Sequence, residues 1–334
     1  MPCRGRLIAG ILTLALAALP RPAAAENGEV RLARPLDLAA LPLLVAEHNQ
    51  LVQKAAAARN LGAVVVHWQV PGRADPLDAL ADGSVDVAAV PDLGLFAAAW
   101  DHDPASLRAL TALARMPYYL VSRNPAIKTI RDFTAKDRIA VPAPQLSAPA
   151  LLLEMAAARE WGAEHYDKLD PLLVARADAE AAAALHQAKA DITAHVSRLP
   201  FVDDELGDQA IHRVMDSFEI AGPHSLGAVV TTARYRDANP AMCAAIAAAL
   251  ADADAFIRQS PGAAAEIYVA TARTQNFAVE ELSDMLGDPD IGYATAPAGL
   301  QRLTDFMAAA GRLQHRPQSW KDLFFPDIYG QSGS

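Results

Sequence analysis

The chain has 334 residues, of which 52% are hydrophobic and 20% are charged, and it carries a formal net charge of −10 at pH 7. This length provides for two lobes of ordinary domain size, each with its own core. The acidic balance argues against nucleic acid and anionic lipid as partners, but it permits a small anionic ligand, because nearby donors in a cleft outweigh distant charge. The chain has only two cysteines, so it has no disulfide framework.

Residues 1–25 have the pattern of a secretory signal peptide. A basic start (Arg4 and Arg6) precedes an apolar stretch at 7–19, and small residues ending at Ala25 predict cleavage before Glu26. The apolar stretch is shorter than the about 20 residues that span a bilayer. We therefore expect export and release of the mature chain, and the alternative is a retained N-terminal anchor. Loss of three arginines with the signal takes the formal charge to −13.

From residue 29 to residue 196, short apolar segments alternate with helical ones. The predicted strands are 29–33, 62–70, 85–90, 138–143, 170–175 and 191–196. The predicted helices between them are 38–58, 75–83, 147–160 and 178–190. Continuous apolar strands separated by helices are typical of parallel sheets covered on both faces, which places the chain in the α/β class.

The C-terminal third has a different pattern. An apolar strand at 225–232 is followed by helical stretches at 240–259, 262–272, 279–286 and 297–311. We expect this strand to rejoin the first sheet, so that the chain leaves its first lobe and returns to it.

Binding residues are expected where strands end. In an open α/β sheet, ligands bind beyond the carboxyl ends of the strands, beside helix N-termini whose free N–H groups attract anions. Val90 ends a predicted strand, Pro91 suits a helix start, and Asp92 can cap that helix. Asp92 thus has two predicted roles, either as a helix cap or as a cleft carboxylate that repels a simple anion and attracts an ammonium group.

Other junctions offer further candidates. Arg34 follows the first strand and could clamp a carboxylate or sulfonate, or it is an ordinary surface arginine. Ser147 is expected to cap a long helix, whose N–H groups could also hold an oxyanion. The predicted cleft residues are Arg34, Leu36, Asp37, Pro91, Asp92, Leu93, Gln145, Ser147, His195, Ser197, His224 and Ser225.

Patterns of catalytic and cofactor sites are missing from the sequence. It contains no H-E-x-x-H, no phosphate-binding loop, no G-x-S-x-G and no C-x-x-C. Cys243 lies in an apolar helical stretch, as expected of a core residue. The two histidines closest to each other in sequence are His186 and His195. They lie on a predicted helix and on the strand after it, which is a weak pattern for a metal site. Nothing in these patterns demands catalysis, and we predict neither a cofactor nor a metal.

Five segments resemble periplasmic substrate-binding proteins of ABC importers of the nitrate/taurine/aliphatic-sulfonate (NitT/TauT) type. They are "LPLLVAEHNQL" (41–51), "LADGSVDVAAV" (80–90), "MPYYLVSRNPAIKTIRDF" (116–133), "RIAVPAPQLSAPALLLEMAA" (138–157) and "PQSWKDLFFPDIYG" (317–330). The resemblance covers essentially the whole mature chain, but no single motif names the ligand.

This resemblance implies a two-lobe, type II periplasmic binding protein, each lobe a mainly parallel sheet, with two crossing strands as the hinge. Lobe one would comprise 26–116 and 228–334, lobe two 117–227, and the crossings would lie at 118–122 and 226–230. A monomer in the periplasm would close on a small anionic or zwitterionic organic solute and deliver it to an ABC permease in the inner membrane. Such a binding protein would not be an enzyme, and it would have no role for nucleic acid.

The loops after the strands depart from the pattern of the family, which leaves the identity of the solute open. Arg34 together with Asp92 would suit a zwitterion, such as an aminosulfonate or an amino acid, better than nitrate. Two other functions remain as alternatives: an enzyme of the same fold, similar to thiamine-pyrimidine synthases or desulfinases, and a ligand sensor for a membrane receptor. Tyr118 is expected to pack in the hinge, with an aromatic face toward the cleft as the alternative.

Overall fold

A computed structural model describes residues 28–70, 75–187, 189–272 and 277–334. The predicted signal peptide and its cleavage site lie outside these ranges. The strands of the described residues are β1 (Glu29–Ala33), β2 (Val65–Gln69), β3 (Val87–Val90), β4 (Leu107–Ala112), β5 (Ala114–Arg115), β6 (Tyr119–Ser122), β7 (Ile139–Val141), β8 (Leu173–Ala175), β9 (Ala194–Ser197), β10 (His212–Asp216), β11 (Ala228–Thr232) and β12 (Gly292–Tyr293).

The helices pack on the sheets or follow them in sequence. They are α1 (Leu41–His48), α2 (Leu51–Ala57), α3 (Pro76–Ala81), α4 (Leu93–His102), α5 (Ala148–Trp161), α6 (Asp178–Leu185), α7 (Phe201–Gly207), α8 (Ser217–Ala221), α9 (Ala233–Ala238), α10 (Pro240–Gln259), α11 (Pro261–Ala272), α12 (Val279–Leu286) and α13 (Leu300–Ala309).

Two five-stranded sheets organise the molecule. The first has the order β2-β1-β3-β11-β4, in which β11 runs opposite to the other four strands. The second has the order β10-β6-β9-β7-β8, in which β6 alone is reversed. The first sheet and the helices packed on it form what we call the first lobe. The second sheet and its helices form the second lobe. The α/β class and the mainly parallel sheets predicted from the sequence are confirmed.

The chain passes between the lobes twice, along neighbouring paths. Leu226 N–H donates to Ala114 O at 2.7 Å, and Leu113 N–H donates to Gly227 O at 2.9 Å. The first passage lies earlier in the chain than the predicted crossing at 118–122, and the second lies at the start of the predicted crossing at 226–230. The difference arises because most of each apolar run lies inside a sheet, as β6 and as β11.

Both faces of the first sheet are buried, which explains its continuous apolar strands. Along β3, Val87 and Ala89 face one core while Ala88 and Val90 face another, as the alternation of a strand requires. Helix α10 covers the first of these cores and contains the buried Cys243. Among the described helices, α10 is long and apolar enough to cross a membrane, and its packing on the sheet accounts for that composition.

The second passage depends on a glycine. A Cβ atom at Gly227 would lie 2.2 Å from Val90 O and 2.8 Å from Pro91 Cα, which are both backbone atoms of the β3 junction. We expect Gly227→Ala to lower the free energy of unfolding by about 3 kcal/mol, since overpacked cores relax only by shifting backbone. Urea unfolding of the mature chain measures this. Gly207→Ala, at a helical glycine with open space around its Cβ position, is the control and should stay within about 1 kcal/mol of wild type. Equal stability of the two variants would contradict the packing argument.

Candidate functional site

A cleft of about 650 Å³ lies between the lobes, at the carboxyl ends of β1, β3 and β9. Both lobes contribute to its walls. The lining residues are Asp37, Asp75, Pro76, Leu77, Val90, Pro91, Asp92, Leu95, Tyr118, Pro142, Ala177, Asp178, Ala179, Arg198 and Phe201. Among the described residues, this lining holds four carboxylates and one guanidinium, so the described part of the cleft is acidic on balance.

The carboxylate of Asp92 joins the two lobes. Asp92 precedes α4 with an extended backbone, and its Oδ1 accepts the N–H of Leu95 at 2.9 Å, as an N-cap does. Both carboxylate oxygens also lie 3.0 Å from the N of Ala148, the first residue of α5 in the second lobe. One side chain therefore caps two helices from different lobes. The capping role predicted for Asp92 is present, and its contact with a solute stays a prediction.

A glycine allows the two helix starts to meet. A Cβ atom at Gly94, in the first turn of α4, would lie 2.3 Å from Leu146 O and 2.9 Å from Ala148 N. Any side chain at position 94 would push the start of α5 away. The contact between Asp92 and Ala148 thus requires a residue without a Cβ atom at this position.

Burial changes the acidity of Asp92. Removal from water raises the pKa of this carboxyl group to about 6, although the N–H groups of Leu95, Ala148 and Gly94 and the charge of Arg198 act in the opposite direction. Since this value is below 7, the group is mostly ionised at neutral pH.

Arg198 forms a second bridge across the cleft. It follows β9 in the second lobe, and its Nη1 and Nη2 donate to the two carboxylate oxygens of Asp37 in the first lobe at 2.7 and 2.6 Å. Its Nε donates to Asp178 at the start of α6 at 3.1 Å. The guanidinium is thus paired with a carboxylate on each side of the cleft, in the bidentate geometry that favours arginine.

The bridge continues into the second lobe through His195. This fully buried histidine has its Nδ1 2.7 Å from Glu205 Oε1, and its Nε2 lies 3.6 Å from Asp178 Oδ1. Burial alone would lower the pKa of His195, but the nearby carboxylate of Asp178 and the hydrogen bond to Glu205 outweigh it and raise the pKa to about 9. His195 is therefore a charged link that holds Asp178 in place rather than a group that faces the cleft.

A third bridge lies beyond α13. Arg312 in the first lobe donates to Gln145 O at 2.8 Å and to Glu154 Oε1 at 2.5 Å, and Asp170 lies 3.5 Å away. Burial and the neighbouring charge of Asp170 raise the pKa of Glu154 to about 8 despite Arg312. One guanidinium thus serves two carboxyl groups, of which Glu154 is mostly protonated at neutral pH.

The structure brings some predicted site residues together. Asp37, Pro91 and Asp92 line the cleft, while Leu93, His224 and Ser225 line a small pocket beside it. His224 stacks on Tyr118, and its Nε2 lies 2.9 Å from Ser217 Oγ. Tyr118 is both packed in this region and part of the cleft wall, so its two predicted roles coexist.

Arg34 is placed elsewhere. Its Nε donates to Glu47 at 2.6 Å, and it lies outside the lining that the described residues give to the cleft. Arg34 is 4% exposed, so the alternative that it is an ordinary surface arginine is wrong. Its role as a solute clamp stays a prediction.

Ser147 occupies the predicted N-cap position of α5, but the expectation that its side chain caps this helix is wrong. Its Oγ donates to Ala143 O at 2.7 Å, and Asp92 accepts the N–H of Ala148 instead. His195 and Ser197 are fully buried on β9, and Leu36 and Gln145 are exposed. Contacts of these residues with a solute stay predictions.

Sequence reasoning missed Arg198, Asp178 and Asp75, which line the cleft with Asp37 and Asp92. Arg198 directly follows β9, and Asp178 begins α6 soon after β8, so the strand-end argument applied to both. These strand-end positions were visible in the sequence, but the argument does not distinguish Arg198 from its neighbour Ser197.

Comparison with solved structures identifies the architecture. The chain is similar to the alkanesulfonate-binding protein SsuA from Xanthomonas axonopodis pv. citri bound to MOPS, with a TM-score of 0.68 and 18% identity over 90% of this chain and 99% of that one. It is similar to the aliphatic sulphonate binding protein SsuA from Escherichia coli, with a TM-score of 0.65, 18% identity and coverage of 90% and 92%. It is also similar to the nitrate-binding protein NrtA from Synechocystis PCC 6803, with a TM-score of 0.66 and 15% identity over 89% of this chain and 85% of that one.

The chain has the fold of a periplasmic binding protein. No family model matches it, and no curated protein matches it by sequence. The identities are low, so the comparison shows the fold and leaves the solute open. The fold resemblance to sulfonate- and nitrate-binding proteins, predicted from sequence segments, is confirmed.

The charged chain behind the cleft makes stability depend on pH. Because the folded pKa of His195 is raised from 6.5 to about 9, its contribution is fully present below pH 6.5 and is lost as the pH rises through 9. We expect the stability advantage of wild type over His195→Gln to shrink by about 3 kcal/mol between pH 6 and pH 10. Urea unfolding at several pH values measures it. The exposed His48→Gln is the control, and an advantage of His195 that is independent of pH would contradict the assignment.

Proposed function

We propose that this chain is an exported solute-binding protein that captures a small organic solute between its two lobes and delivers it to an ABC importer. One observation carries the proposal: the walls of the cleft come from both lobes, at the strand ends where this fold binds ligands. Its similarity in fold to sulfonate- and nitrate-binding proteins, and to a ligand-binding component of an ABC-type import system, supports the same role.

Closure of the lobes would signal that a solute is bound. A solute that contacts Asp37 on one wall and Asp178 on the other gains both sets of contacts only in the closed form. Binding therefore shifts the population of the protein toward closure, and a permease can distinguish the closed form from the open one. Turnover of the solute is not part of this role, and buried Cys243 offers no nucleophile to the cleft.

The charge of the cleft supports one part of the expected solute range. Asp37, Asp75, Asp92 and Asp178 surround the space, and the guanidinium of Arg198 is already paired with two of them. A solute with an ammonium group gains from these carboxylates, whereas nitrate does not. Within the sulfonate, taurine and nitrate range expected from the sequence, we therefore favour a zwitterion, such as an aminosulfonate or an amino acid.

Matched pairs of compounds test the solute class. Taurine and ethanesulfonate differ by the ammonium group, as do β-alanine and propionate. We expect the member with the ammonium group to raise the melting temperature of the mature chain progressively with concentration, with a gain of about 2.7 kcal/mol at one hundred times Kd. Ethanesulfonate, propionate and nitrate should have no comparable effect. Equal or larger stabilisation by nitrate or ethanesulfonate would contradict the preference for a zwitterion.

A second experiment separates transport from sensing. The solute-loaded protein should stimulate ATP hydrolysis by its ABC permease reconstituted in vesicles, and the empty protein should stimulate it less. A chain that binds its solute but leaves every such permease unchanged would favour the sensor function instead.

A further inference from the structure

The N-terminus of a helix is a common anion-binding position in proteins, and the first turn of α5 is such an N-terminus. This helix has 14 residues, so its N-terminus carries unpaired N–H groups and the positive end of a substantial dipole. Pro149 has no N–H, and the N–H of Ser147 is used by Ala143 O. Ala148, which is buried and lines the small pocket beside the cleft, therefore supplies an N–H donor of this turn.

That donor is already taken by an anion of the chain itself. Both carboxylate oxygens of Asp92 lie 3.0 Å from Ala148 N, although Asp92 belongs to the opposite lobe. The residue is 7% exposed, and Gly94 removes the side chain that would otherwise hold the two helix starts apart. A carboxylate with two oxygens on a helix N-terminus is the arrangement expected of a bound solute oxyanion.

We propose that Asp92 is a specificity-determining residue, whose carboxylate occupies the anion position on α5 and excludes sulfonate, sulfate and nitrate groups from it. This proposal rests on the solute-binding function proposed above, because specificity matters only if the cleft takes a solute.

The surroundings of Asp92 reinforce the exclusion. A second anion beside Ala148 would meet the charge of Asp92 at close range, which disfavours it. One charged group of the cleft is Arg198, and its guanidinium is held between Asp37 and Asp178. Tyr118 also lines the cleft, and burial raises the pKa of its hydroxyl still further above neutral pH, so it carries no charge there. The pKa of Asp92, about 6, leaves the carboxylate ionised at neutral pH.

Serine at position 92 provides the direct test. Serine is a good N-cap, so Asp92→Ser preserves the cap of α4, but its shorter side chain no longer reaches Ala148. With inorganic sulfate and methanesulfonate as probes in titration calorimetry at pH 7.5, we expect this variant to bind at least about tenfold more tightly than wild type. Sulfate binding by wild type that equals binding by the variant would overturn the proposal.

Two matched variants separate occupancy from charge. Asp75→Ser removes the same charge from the same cleft at another helix cap, where Asp75 accepts the N–H of Leu77 at 2.8 Å, and it leaves α5 untouched. Asp92→Asn removes the charge but keeps an oxygen that accepts the N–H of Ala148. Neither variant should gain the affinity for sulfate that Asp92→Ser gains. An equal gain in either one would overturn the proposal, because charge alone would then explain exclusion.

A crystal structure of the wild-type protein in selenate makes the test independent of any variant. Asp92 seated on Ala148, with no selenium at the start of α5, supports the proposal, and selenate at that position with Asp92 displaced overturns it. Sulfate, methanesulfonate and selenate are simple anions of known identity, so the outcome does not depend on finding the natural solute. Failure of the specificity proposal and failure of the transport proposal are therefore distinguishable.

Discussion

The contact between the Asp92 carboxylate and the first turn of α5 is the constraint on which the arrangement of the lobes depends. It requires a strand that ends at Val90, a carboxylate two residues later, a glycine at position 94 and a free N–H at Ala148. These features come from two lobes, and they meet only when the lobes are closed. The same contact makes one wall of the cleft continuous with the other and sets the charge that a solute meets there.

The Arg198 bridge adds a second set of charges that hold the lobes together without a solute. Burial of an ion is costly unless it is paired with an opposite charge. Here the charges alternate in sign along a series of neighbours: Asp37, Arg198, Asp178, His195 and Glu205. Internal pairing of this kind raises the population of the closed form before any solute binds. A solute that fits this form then loses less affinity to the conformational change, while one that must displace Asp37 or Asp92 loses more.

The sequence predicts the fold well, because the alternation of apolar strands with helices is a local property that burial of both sheet faces preserves. It also predicts that Asp37, Pro91 and Asp92 lie at strand ends in the cleft. It does not predict that Asp92 contacts Ala148, 56 positions away, or that Arg198 pairs with Asp37, 161 positions away. Those partners follow from how one lobe sits on the other, and no local pattern encodes that. Arg34 differs, because its partner is close in sequence: it donates to Glu47 in α1, 13 positions later.

Amide hydrogen exchange at Ala148 tests the central claim most directly, because this one N–H group reports whether Asp92 is seated on α5. In the solute-free wild-type protein, an open cleft would expose this N–H to water, whereas the internal contact protects it. If Asp92 accepts this N–H, we expect the amide of Ala148 to exchange slowly, at a rate comparable to that of amides in the core of the second sheet. Rapid exchange, at the rate of an unprotected helix start, would contradict it.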